Sequence, residues 1–127
     1  KIFSKTIRRT IMPMTPFKAG DIVAVEFPFT DFQTFKRRPG LVLVAGEMDL
    51  LVARITTHSP REPSDVAIKF WTEIGLPRAS TIRLTKLATI DHRLAHHQIG
   101  RLHPDDAKAV IQALQEVVKT FADELLK

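Results

Sequence analysis

Lys36, Arg37 and Arg38 stand in a row, end at Pro39, and run directly into the apolar stretch Leu41–Val44. Cations so placed suit the handling of an anion. A guanidinium offers a planar fork of N–H donors that matches two phosphate oxygens, and it keeps its charge at any working pH. Pro39 fixes its own φ and restricts Arg38 to extended conformations. A group that must meet a reacting phosphate is best held on such a rigid element. The ordinary alternative is a set of solvated gatekeeper charges flanking an aggregation-prone strand.

Other chemistry has less support. There is no Cys, so no disulfide, thiolate metal site or Cys nucleophile is available. The five His are His58, His92, His96, His97 and His103. His96 and His97 are adjacent, so they point to opposite faces of a strand or diverge on a helix, and both read as surface residues. No HExxH and no Asp-rich calcium loop is present, and no metal is expected. Neither GxGxxG nor GxxxxGK[ST] occurs, so no nucleotide cofactor is expected either. Ser59, Ser64 and Ser80 have no nucleophile-elbow motif around them.

The elements that must carry the cations can be read from the pattern. The chain of 127 residues suits one domain with its own core. Lys1, Lys5, Arg8, Arg9 and Lys18 give residues 1–19 five positive charges and no acid. The other fourteen Lys and Arg equal the fourteen Asp and Glu, so the body of the chain is neutral. A polyanion site must then be a local cluster, not a general basic surface. Residues 1–19 form a basic extension without a signal-peptide apolar region. Met12 and Met14 are alternative starts, in which case the residues before them are not native. The domain proper is expected over residues 20–127. No apolar run approaches the roughly 20 residues of a membrane span, so no membrane association is expected.

Within the domain, "DIVAVEFPF" alternates as a strand between Gly20 and the following polar loop "TDFQTFKRR". "GLVLVAG" reads as a two-sided apolar strand, and "GEM" joins it as a hairpin to "MDLLVARIT". "THSPREPSD" is turn-rich, "VAIKF" is a short strand, and "STIRLTKLATI" is a strand with room for a bend. From "HPDDAKAVIQALQEVVKTFADELL" the apolar residues fall at helical spacing, with Pro104 at a first helical position and Asp105 and Asp106 at the positive end. Five or so short sequential strands and a terminal helix predict a mainly β fold, a small antiparallel barrel with the helix packed on it.

The stretches "GDIVAVEFPFTD", "KRRPGLVLV", "ARITT" and "STIRLTKLATID" with "IGRL" occur in the order seen in the MazF/PemK ribonuclease toxins, and with the helix they span about residues 18–122. The sequence resembles that family, and its PemK-like branch most. The resemblance implies an SH3-like antiparallel β-barrel that forms a homodimer in the cytoplasm. It implies a metal-independent, cofactor-free endoribonuclease that cuts single-stranded RNA and is held by a cognate antitoxin protein. The family's catalytic Arg and Thr fall on Arg38 and Thr56. Substrate contacts are then expected from Lys36 and Arg37, from Phe29 and Thr30, from Thr57 and His58, and from Arg78, Thr81 and Lys86. Phe29 is suited to stacking a base. Two departures stand out: Lys86 replaces the Gln common near that position, and Thr57 replaces the Ser common after the catalytic Thr. Two other readings share the fold. One is a non-enzymatic poison of DNA gyrase, which has no need of "KRRPG" with "ITT"; the other is a degenerate RNA-binding module.

Overall fold

The computed structural model describes residues 16–28 and 35–127. Six strands make one antiparallel sheet: β1 (Asp21–Pro28), β2 (Phe35–Ala45), β3 (Asp49–Thr56), β4 (Asp65–Ala67), β5 (Thr81–Asp91) and β6 (Ala95–Arg101). A 3₁₀ turn, His92–Leu94, precedes β6, and one helix, α1 (Pro104–Leu125), closes the chain. The strand order is β4-β5-β3-β2-β1-β6. The mainly β fold with a C-terminal helix is as expected from the pattern, but β4 and β6 are edges, so the sheet does not close into a barrel.

Two apolar cores lie on the two faces. Ile22, Leu41, Ile55, Ile82 and Leu84 form the first with Val110 and Val117 of α1. Val23, Val25, Phe27, Val42, Leu50, Val52 and Ile90 form the second from strand residues. Because a side-chain period of two sends neighbours to opposite faces, consecutive apolar residues such as Ile22 and Val23 serve both cores.

Three features differ from the pattern reading. The "KRR" cluster is not in a loop, because β2 begins at Phe35 and carries Lys36, Arg37 and Arg38 within the strand. The apolar run after it is not buried throughout, since Val44 is 51% exposed. β6 has no strand signature, because His96, His97 and Gln98 are all exposed and leave no alternation to read. The "GEM" hairpin is present, closed by Gly46 N–H donating to the Asp49 carbonyl at 2.8 Å. The strand of "VAIKF" stops at Ala67.

Its continuation is held by α1 instead. Asp106 is only 2% exposed. Its carboxylate accepts from Lys69 N–H at 3.0 Å and Phe70 N–H at 3.1 Å. The helix thus binds the chain between β4 and β5, beyond the dipole role its position suggested. Nδ1 of His103 caps the same helix end, accepting from Asp105 N–H at 3.1 Å, and its ring stacks on Phe70 at 3.7 Å. Gly100 is required nearby, because a Cβ there would collide with the Ile74 carbonyl. Asp106→Ala leaves two amides without an acceptor and should destabilise the fold by about 3 kcal/mol, read as a lower urea midpoint with unchanged slope.

Candidate active site

β2 and β3 pair from Gly40↔Arg54 to Ala45↔Leu50 and no further. Beyond that point β2 stays paired to β1 through Arg38↔Val25 and Lys36↔Phe27. β3 meanwhile stays paired to β5 through Ile55↔Ile82 and Thr56↔Thr81. The two strands therefore part, each still fixed on its other side, and a wedge opens between them. Pro39 sits where β2 is paired on one side only, as a residue without an N–H requires.

The wedge is a pocket of about 280 Å³ lined by Lys36, Arg38 and Pro39 from β2, Arg54, Ile55 and Thr56 from β3, and then Thr57, His58, Phe27 and Ser80. The period of two puts Lys36 and Arg38 on the face that Gly40 shares with Arg54. Gly40 leaves that face open: a Cβ there would touch Val25 at 3.4 Å and Phe27 at 3.5 Å. The Arg54 guanidinium lies over the Phe27 ring, 4.8 Å from its centroid. That cation–π contact orients Arg54 without neutralising it. Thr56 Oγ1 accepts from His58 N–H at 3.4 Å, which leaves the hydroxyl proton free to donate.

One wall of the site is fixed by a carboxylate network. Asp65, with a side chain 1% exposed, accepts from Arg83 Nε at 3.4 Å. It also accepts from Arg61 N–H at 2.9 Å and Glu62 N–H at 3.2 Å. Glu62 is shared between Arg83 at 3.3 Å and the Thr85 hydroxyl at 3.0 Å. Thr56, His58, Ser59, Arg61, Asp65 and Arg83 line a small crevice beside the main pocket. Burial alone raises the Asp65 carboxyl, but the Arg61 and Glu62 amides and the Arg83 charge outweigh it and hold it below its ordinary value.

Of the residues expected at the site, Lys36, Arg38, Thr56, Thr57 and His58 converge on this pocket. Arg37 alternates to the opposite face, in register with Glu26, which is bound to His96. Thr81 is 2% exposed, paired to Thr56 on one side and Ala67 on the other, and so is closed to a substrate. Arg78 and Lys86 are exposed but do not line the pocket. Phe29 and Thr30 lie outside the described residues. Sequence reasoning missed Arg54, Phe27 and Ser80. The signal for Arg54 was present: it is the one charge inside "LLVARIT", two residues before Thr56 and so on its face.

Among the described lining residues three are cations and none is a carboxylate. Nor, among the described residues, does any group of three His, Cys, Asp or Glu converge as metal ligands would. The pocket brings three cations together with the hydroxyls of Thr56 and Thr57, and Arg38 and Thr56 come from the two strands that part. A larger hollow of about 810 Å³ lies between α1 and β4. Its lining is mainly apolar and brings no comparable polar set together, so the chemistry is assigned to the smaller pocket.

The chain belongs to the family of PemK-like, MazF-like toxins of type II toxin–antitoxin systems, whose model matches residues 18–118. Solved structures share the fold. The Mycobacterium tuberculosis toxin MazF-mt6 is 24% identical with a TM-score of 0.64, covering 78% of this chain and 96% of that one. A mycobacterial endoribonuclease in complex with its cognate antitoxin is 15% identical with a TM-score of 0.66, covering 81% and 95%. A MazE–MazF complex from Deinococcus radiodurans is 20% identical with a TM-score of 0.62, covering 80% and 94%. The comparison with curated proteins gives no match. No helix among the described residues is long and apolar enough to cross a membrane.

The Asp65 network makes a pH-dependent prediction. The carboxyl is held below the unfolded value of about 3.9, so its contribution is complete above that pH. It is lost as pH falls through the lower folded value. Asp65→Ala should cost about 2 kcal/mol at neutral pH, and the gap to wild type should narrow as pH falls below about 4, measured by urea unfolding at each pH.

Proposed function

We propose that the chain is a toxin that cuts single-stranded RNA at specific sequences without a metal or other cofactor, and that a cognate antitoxin protein holds it in check. The observation that carries the reading is the placement of Arg38 and Thr56 on facing walls of one cation-lined wedge. Family membership supports the toxin class and, at the level of the family, ribonuclease activity. The relatives solved with antitoxins support such a partner.

The chemistry uses the RNA's own nucleophile. The 2′-hydroxyl attacks its adjacent phosphate, and the 5′-oxygen of the next nucleotide leaves. The products are a 2′,3′-cyclic phosphate and a 5′-hydroxyl. Charge builds on the phosphorane oxygens, and preorganised donors are worth most there. Arg38 spans two of those oxygens and supplies the proton to the leaving 5′-oxygen. Thr56 donates its free hydroxyl proton to a non-bridging oxygen. Lys36 and Arg54 gather the flanking phosphates. DNA lacks the 2′-hydroxyl and is not a substrate.

The test is cleavage of a long single-stranded transcript in EDTA, with the ends mapped. Wild type should give discrete cuts bearing cyclic phosphates. Arg38→Ala should lose about 10²–10³-fold in rate, the scale of one transition-state donor. Undiminished cutting by Arg38→Ala would sink the assigned mechanism, and intact RNA with wild type would sink the ribonuclease reading.

The resemblance also implies a homodimer, and α1 has a surface suited to it. Ile111 and Val118 are each 56% exposed, Phe121 49% and Leu125 85%, along one stripe that flanks the core-facing side of the helix. Their spacing of seven, three and four residues is that of a helix–helix seam. Val118→Glu should convert a dimer to a monomer by light scattering. A wild-type monomer at micromolar concentration would rule the seam out as a dimer interface.

A further inference from the structure

We propose that His58 is the base that takes the proton from the attacking 2′-hydroxyl; the inference rests on the ribonuclease reading and completes it. Arg38 serves the leaving side of the reaction, so the attacking side needs another group. The described lining residues narrow the choice by their chemistry. The guanidinium ions of Arg38 and Arg54 and the ammonium of Lys36 carry donors but no acceptor, so none of them can take up the proton. Ser80 is 6% exposed and its hydroxyl already donates to the Arg78 carbonyl at 2.8 Å. Thr56 is engaged by the His58 amide. Phe27, Pro39 and Ile55 have no side-chain acceptor, and the Thr57 hydroxyl is too weakly basic to hold a proton near neutral pH. An imidazole ring nitrogen is the remaining group able to accept a proton near neutral pH.

Position supports the choice. The bond from His58 N–H to Thr56 Oγ1 fixes the backbone of His58 two residues beyond the oxygen-binding Thr. Its side chain is exposed and lines both the main pocket and the adjoining crevice. Charged groups face this corner from every packed element: Lys36 and Arg38 from β2, Arg54 from β3, Arg61 from the turn after it, Asp65 from β4 and Arg83 from β5. Asp65 is already held by Arg83 and by the Arg61 and Glu62 amides. Those bonds hold its carboxyl below its ordinary value, so it competes poorly for the reacting proton. The substrate phosphodiester brings negative charge beside the ring as the proton arrives.

The step balances. The O2′–P bond forms as the O2′–H bond breaks, and that proton moves to an imidazole nitrogen. The P–O5′ bond breaks, and the 5′-oxygen takes a proton from Arg38. Solvent then removes the proton from His58 and restores the one on Arg38, so the protein is unchanged after each cut.

The experiment first maps a wild-type cut in a mixed-sequence transcript, then uses an oligonucleotide spanning it in single-turnover assays between about pH 5 and 9. Wild type should show a rate that falls tenfold per pH unit on its acid side. His58→Ala and His58→Gln should lose about 10²–10³-fold in rate and lose that acid limb. Binding of the same oligonucleotide with 2′-O-methyl groups, read by fluorescence anisotropy, should change less than about threefold, since a base contributes to the transition state and not to ground-state binding. Added imidazole should restore part of the His58→Ala rate. Variants that keep the acid limb, or cut within about threefold of wild type, overturn the assignment of His58 while leaving the ribonuclease reading intact. A loss of rate matched by an equal loss of binding also overturns it, because His58 is then a contact only. Failure of wild type to cut any RNA overturns the ribonuclease reading itself.

Discussion

The site depends on one interruption of the sheet: β2 and β3 stop pairing at Gly40↔Arg54 while each remains paired on its other side. An unpaired pair of strands normally exposes amides and carbonyls that invite another chain. Here the opened segment carries Lys36, Arg38 and Arg54, which discourage strand addition and supply the charge that an anion needs. The gatekeeper and functional readings of the cation cluster are therefore compatible. The same residues can protect an open edge and bind a phosphate, because both tasks require charge at the point where backbone pairing ends.

Rigidity at the wedge comes from its two outer seams. β1 packs Val23, Val25 and Phe27 into the strand-only core and so anchors the part of β2 that bears Arg38. β5 anchors β3 and carries Arg83, whose hold on Glu62 and Asp65 fixes the chain beyond His58. The helix acts at one remove: Asp106 ties down Lys69 and Phe70, just after the short strand β4 that pairs with β5. Few of these supports are single strong contacts. Exposed ion pairs contribute little each, and the buried carboxylates matter because each satisfies several amides that have no other partner.

How much of this was legible in the sequence varies with the physics behind each feature. The helix and strands β1 to β3 were readable, because apolar periodicity reports directly on which face is buried. The Arg38–Thr56 pairing was accessible only through family resemblance, because no local pattern marks which strand end will part from its neighbour. The extent of β2 was misjudged for a related reason: Lys36 to Arg38 look like loop residues, yet one-sided pairing to β1 is enough to keep them extended. β6 was invisible because an edge strand with exposed His96, His97 and Gln98 lacks alternation. Thr81 and Lys86 show the limit of carrying roles along a strand. The register shift in β5 opposite Ala53/Arg54 changes which residues face the wedge, and a sequence gives no register.

The distribution of charge then bears on selectivity. Outside residues 1–19 the chain is neutral overall, so on the proposed reading RNA meets a local cation cluster and not a high net positive charge. Each phosphate neutralised contributes a salt-dependent term that is blind to sequence. A pocket with three lining cations can neutralise about that many phosphates, so nonspecific attraction stays modest. On the proposed ribonuclease reading, the described groups around the scissile phosphate that could discriminate among RNA sequences are the Phe27–Arg54 stack and the hydroxyls of Thr56 and Thr57. Single-stranded RNA suits such a site, because an unpaired nucleotide can rotate its 2′-hydroxyl into line with its own phosphate, and a stiff helix resists that motion.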